Sequence, residues 1–180
     1  DEDELMDQQK DVPLRFAYSH EGNVDLASSG TWHTLSNGRR LLRMEFESEE
    51  AYSMNFTFSQ FHLPEGSKLW AYSSDGEMYR GAFTSENNHE SGVFALGIIS
   101  GDKVTIEYLE PHNTTEQPVL VLSHIAHDYR NIYELARGFD DSGNCNNDVV
   151  CPEGDSWRDQ ISSVALITTN SGSRLCTGAL

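Results

Sequence analysis

The 180 residues carry 29 acidic against 12 basic side chains, a formal charge of -17 with histidine neutral. That balance repels a phosphate backbone and argues against nucleic acid as a partner. The apolar share is 37%, with eight Phe, seven Tyr and three Trp to build a core, and no run approaches the roughly 20 apolar residues of a membrane helix.

Residues 1–10 are acidic and polar, and are expected to form a flexible lead-in. The chain opens on Asp1 without a basic-then-apolar leader, which fits a start already processed. Residues 11–127 change to short β-prone runs between turn signals. Leu14, Phe16 and Tyr18 alternate with polar neighbours, the period of a half-buried strand. Runs at 31–35 and 39–46 flank Ser36-Asn37-Gly38, and Asn-Gly predicts a tight hairpin. Tyr52, Met54, Phe56 and Phe58 alternate next. The runs 68–72 and 92–96 precede the Asp75-Gly76 and Gly101-Asp102 turns, and Val104, Ile106 and Tyr108 alternate again before a last run, 119–122. Strands at this spacing predict an all-β, antiparallel, jelly-roll-like sandwich. Residues 128–137 predict a short helix with Tyr129, Ile132, Tyr133 and Leu135 on one face, followed by a polar linker at 138–144. Together, 128–144 read as a helix and processing linker.

All cysteines fall after that linker: Cys145, Cys151 and Cys176. An odd count admits a zinc site, one disulfide with a free thiol, or partners elsewhere in a longer protein. The zinc reading lacks the paired CxxC spacing that would support it. The apolar run 175–180 ends without a turn or polar cap, which favours partners elsewhere.

At this point the residues carry a resemblance. The stretch 142–155, with Cys145, Cys151 and Pro152-Glu153-Gly154-Asp155, resembles the mature amino terminus of bacterial lysyl endopeptidases, secreted trypsin-like serine proteases of the chymotrypsin fold. Residues 158–166 match the approach to that family's first barrel strand. Cys176-Thr177-Gly178-Ala179-Leu180 is similar to the element that shortly precedes the catalytic His in chymotrypsin-like proteases. More loosely, 63–70 and 99–111 resemble the β-rich prosegment of such precursors. The resemblance implies that 145–180 begin a trypsin-like double β-barrel. It also implies that Cys145, Cys151 and Cys176 each join a cysteine further along the mature enzyme. Disulfides fit a secreted protein exported through the periplasm.

A serine protease of this type needs His, Asp and Ser, with His first in the chain order. None of His20, His33, His62, His89, His112, His124 or His127 stands in an Ala-His-Cys context, so no catalytic residue is assigned and the chain alone is expected to be inactive. His124-x-x-His127 reads as incidental rather than as a metal site. The acids at Asp75, Asp140 and Asp141 lack calcium-loop spacing. No metal or cofactor is expected. The sequons at Asn55 and Asn113 carry no meaning in a bacterial secreted protein, where the resemblance places the chain.

The expected processing bond is Arg137-Gly138, with Arg130 behind it. A lysyl-specific enzyme maturing itself would need Lys there, and Lys103 is the last lysine. Two classes of function follow. The first is the pro-region of a secreted endopeptidase cleaving after Lys and/or Arg. Its prosegment would assist folding and latency, with its own catalytic domain as partner and protein as the completed enzyme's substrate. A released prosegment would then also inhibit in trans. The second is a secreted β-sandwich that binds carbohydrate or protein through exposed aromatics such as Trp32, Trp70 or Tyr79, without catalysis.

Overall fold

Strict alternation of apolar and polar side chains builds two antiparallel sheets that bury one face each against the other. The computed structural model describes residues 5, 6, 9, 12–133 and 152–179. Arg137, Gly138, Cys145, Cys151 and most of the expected linker lie outside the described residues. The first sheet has the order β1 (Ala17–Asp25), β9 (Val119–Asp128), β4 (Ser53–His62), β7 (Phe94–Ser100). The second runs β2 (Thr31–Thr34), β3 (Arg40–Glu47), β8 (Lys103–Leu109), β5 (Lys68–Ser73), β6 (Tyr79–Phe83). Only β2–β3 and β5–β6 are sequence-adjacent pairs within a sheet; the other connections in the sandwich cross between sheets. That order is a jelly roll, β1-β9-β4-β7 over β3-β8-β5-β6, with β2 added at an edge. A separate two-stranded sheet pairs β10 (Val164–Thr168) with β11 (Arg174–Ala179), and no closed barrel forms among the described residues.

The core lies between the two large sheets. Met54, Phe56, Phe58, Leu96, Ile99, Leu120 and Leu122 of the first meet Leu42, Leu69, Ala71, Val104, Ile106 and Tyr108 of the second, all buried. A fully buried Leu or Phe contributes about 1.5–3 kcal/mol by leaving water. Four phenylalanines (Phe58, Phe61, Phe83, Phe94) close one end, with Phe61 and Phe94 stacked at 4.2 Å. Two bulges keep the pattern in step. One extra residue on β4 between Phe58 and Gln60 returns Phe61 and Leu63 to the core. Another on β9, near Ser123, sends Ile125 inward and turns Ala126 and Asp128 to the outer face.

Several expectations meet small corrections. Tyr18, at the end of its apolar series, is 51% exposed, and Tyr52, at the start of its series, is 53% exposed, so both stay in solvent. Tyr18 instead stacks on Tyr129 at 4.5 Å. The Asn37-Gly38 hairpin forms, but its loop spans 35–39. Only Gly38 takes a positive φ (82°), while Asn37 Oδ1 accepts from the Arg39 amide. Between β1 and β2, the one-turn helix α1 (Leu26–Ser29) is capped by Asp25, whose carboxylate accepts from the Ala27 amide at 3.0 Å.

Burial pushes the Tyr108 phenol up to about 12. Its ionisation is therefore disfavoured in the folded state. The stability this provides is complete below pH ~10 and lost as pH rises toward ~12. Urea denaturation should show wild type losing roughly 2–3 kcal/mol more than Tyr108→Phe between pH 9 and pH 12.

Candidate functional site

The outer face of the first sheet is lined by small side chains. Ser19 of β1 and Asn55 of β4 both pair with Ala126 of β9, and Thr57 pairs with Ala95 of β7. Such a face lets another backbone come close, and the β10–β11 hairpin does. The Arg174 amide donates to Leu14 O at 2.7 Å, and the Phe16 and Ala17 amides both donate to Gly172 O at 2.9 and 3.0 Å. Arg15 and Ser173 form an antiparallel bridge between these contacts. Residues 14–17 thus extend the hairpin by one short strand, through main-chain bonds that do not depend on side-chain identity.

Gly172 is the exception to that tolerance. Its φ is 83°, and a Cβ there would stand 2.2 Å from Ala17 O. Only glycine permits both the turn and the approach. The turn is braced internally, with the Thr169 amide donating to Ser173 O and the Ser173 amide to Thr169 Oγ1. Beneath the contact, a second small core gathers Phe16, Ala17, Ala126 and Ile132, with Ile98 and Tyr133 against it. A cleft of about 340 Å³ opens between Arg80, Ile98 and Tyr133 on the sandwich and Leu166 and Thr168 on the hairpin. A second, of about 310 Å³, lies between Asn55, Thr57 and Ala95 and the hairpin's Thr168 to Asn170 turn.

Asp128 sets the direction in which the chain leaves the sandwich. Its buried carboxylate accepts from Ser53 Oγ at 2.7 Å and from the amides of Arg130 and Ile132, each at 2.9 Å. β9 therefore reaches Asp128, past the run expected at 119–122, and the described start of the expected helix is the turn at Ile132 and Tyr133. Arg130, the second expected processing residue, is half-buried and its guanidinium donates to Arg15 O at 3.2 Å.

The other sequence candidates scatter. His124 and His127 each sit beside a hydroxyl, Ser123 Oγ at 2.9 Å and Ser48 Oγ at 2.7 Å. The described residues hold no group of three or more His, Cys, Asp or Glu suited to a metal. Cys176, on β11 opposite Ile167, is exposed with a free thiol. Around it Val164, Leu166, Ile167 and Leu175 are 37–60% exposed, so the hairpin's apolar side chains are poorly covered. Trp32 leaves the list of contact aromatics. Its indole packs edge-on to Tyr108 at 6.1 Å and donates to Ala27 O, with the Arg40 guanidinium over its ring at 4.4 Å. Trp70 and Tyr79 do face outward, on the second sheet. The hairpin's contact with 14–17 is not visible in the sequence, because it is carried by main-chain groups; Gly172 within the turn-prone run Asn170-Ser171-Gly172-Ser173 is its one local signal.

With this geometry in view, the comparison with known families is specific about the hairpin. Residues 139–180 match the lysyl endopeptidase C-terminal domain. The residue-level resemblance at 142–155, 158–166 and 176–180 falls inside that match, and the looser likeness at 63–70 and 99–111 falls outside it. No solved structure matches the chain. A protease-related segment therefore lies against the outer face of a jelly-roll sandwich. No helix among the described residues is long and apolar enough to cross a membrane.

Two outcomes follow from this contact. In Gly172→Val, hydrogen exchange at the Phe16 and Ala17 amides should accelerate at least about tenfold, with β4 and β9 unchanged. Asp128→Ala should cost roughly 2–3 kcal/mol in urea denaturation, since it leaves a buried hydroxyl and amides without their acceptor.

Proposed function

We propose that the chain is the pro-region, with the opening strands of the protease, of a secreted lysyl endopeptidase-like serine protease cleaving after Lys and/or Arg. In this reading 11–127 are the prosegment, 128–144 carry the processing bond at Arg137-Gly138, and 145–180 begin the enzyme, exported through the periplasm. The observation that carries it is the strand-like pairing of Leu14, Phe16 and Ala17 with Gly172 and Arg174, where the sandwich meets the segment similar to a protease domain.

The physics of a double β-barrel explains what such a contact would do. Barrel strands pair with partners distant in sequence, so closing the loops costs entropy before any contact repays it. An isolated two-stranded hairpin is marginal in water. Seating the first hairpin on a folded sandwich removes part of that cost. It also covers one strand edge that would otherwise invite misassembly. The same contact, kept until the linker is cut, supports latency. Cys145, Cys151 and Cys176 are then held for cysteines further along the mature enzyme, and the exposed thiol of Cys176 fits a partner arriving later.

Limited trypsin digestion tests this directly. The first cut is expected after Arg137, giving a new amino terminus at Gly138, and the pieces should still co-elute in gel filtration. Arg137→Gln should remove that cut. A first cut inside the sandwich, or pieces that separate at once, would overturn the reading.

A further inference from the structure

The outer face of the second sheet lies on the opposite side of the sandwich from the hairpin and plays no part in seating it. Its outward side chains follow from strand alternation: Thr31 and His33 on β2, Arg43 and Glu45 on β3, Thr105 and Glu107 on β8, Trp70 and Tyr72 on β5, and Tyr79 on β6. A cleft of about 380 Å³ crosses these strands, lined by Thr31, His33, Arg43, Glu45, Tyr72 and Thr105.

The chemistry of this face selects one kind of ligand. Arg43 Nε donates to Glu107 Oε2 at 2.5 Å, and the Tyr72 hydroxyl donates to the same oxygen at 3.2 Å. The three groups hold one another in place, and Arg43 and Tyr72 line the cleft together with the Glu45 carboxylate. A fixed donor set beside a fixed acceptor set suits adjacent hydroxyls, which both give and accept. Trp70 pairs with Glu107 across β5 and β8, and Tyr79 with Tyr72 across β5 and β6, so aromatic rings border the polar groups on one side. Tyr79 is 66% exposed.

Charge narrows the choice further. Arg43, Lys68 and Lys103 face outward here beside Glu45, Glu47 and Glu107, a balanced set on a chain whose net charge is -17. A charged ligand gains nothing from such a surface. Protein interfaces, in turn, centre on buried apolar anchors. The strands of this sheet contribute only Tyr79 to the large exposed apolar residues.

We infer that this face binds a neutral oligosaccharide, its sugar rings resting on Tyr72, Trp70 and Tyr79 and its hydroxyls bonded to Arg43 and Glu107. The site is independent of the hairpin contact and stands or falls separately from the protease reading.

Affinity electrophoresis of the 180-residue chain through gels containing a soluble β-glucan, a xylan, a galactomannan or a dextran tests it. At least one should retard the chain, equally at 0.05 and 0.5 M salt, since no net charge is neutralised. Tyr72→Ala and Arg43→Ala should each weaken retardation at least about tenfold. Arg43→Lys should not restore it, because a point charge lacks the guanidinium fork. Tyr18→Ala, an exposed aromatic on the other sheet, should leave it unchanged. Circular dichroism melts of each variant separate lost binding from lost fold, and Trp70→Phe keeps a ring in place should an alanine variant unfold. Retardation by none of the four polymers would overturn the inference. So would binding that falls with salt, or binding indifferent to both face substitutions.

Discussion

The structure depends on one layer from which water is excluded, the contact between the two sheets. Phe56, Phe58, Leu120 and Leu122 on one side and Leu42, Leu69, Ile106 and Tyr108 on the other are buried together. Removing their surface from water is the main favourable term in folding, and it is nearly indifferent to direction. Direction comes from the pleat, because a strand has only two faces. Once one face is committed to the core, the other is released for contact with something else. The hairpin lies against one of those two released faces, and the proposed sugar site is on the other.

The faces differ because their side chains differ in size and polarity. On the first sheet Ser19, Asn55, Thr57, Ala95 and Ala126 keep the surface shallow, and a hairpin backbone reaches Leu14, Phe16 and Ala17 closely enough for main-chain hydrogen bonds. On the second sheet the larger Trp70, Tyr72 and Tyr79 stand beside Arg43 and Glu107 and make that surface polar and aromatic instead of shallow. The bulge near Ser123 is central to this division. Without it, Ala126 and Asp128 would keep the inward parity of Leu120 and Leu122. The hairpin would lose its floor, and the turn at Ile132 would lose its acceptor. A single extra residue thus places both the contact and the exit of the chain.

How much could be read in advance varied with how local the cause was. Alternation at Val104, Ile106 and Tyr108 translated directly into burial, because each position needs only its own strand. The turns at Gly38 and Gly76 were legible for the same reason, a backbone preference confined to a few residues. Tyr18 and Tyr52 stayed in solvent because Tyr18 stands on the edge strand β1 and Tyr52 precedes the start of β4, positions that alternation alone does not mark. Trp32 looked like a surface contact, yet its indole N–H bonds Ala27 O, and its ring packs half-buried against the core.

By itself, then, the sequence determined the all-β sandwich and the break in character after the linker at 138–144. It also carried the likeness of 139–180 to a lysyl endopeptidase domain. These are written in local periodicity and in short motifs. Only the tertiary structure decided which outer face receives the hairpin, which aromatics remain in solvent, and that Gly172 must be glycine. Those depend on main-chain groups at opposite ends of the chain meeting at hydrogen-bond distance, and on side chains from four strands sharing one surface. No side-chain pattern along the sequence encodes either.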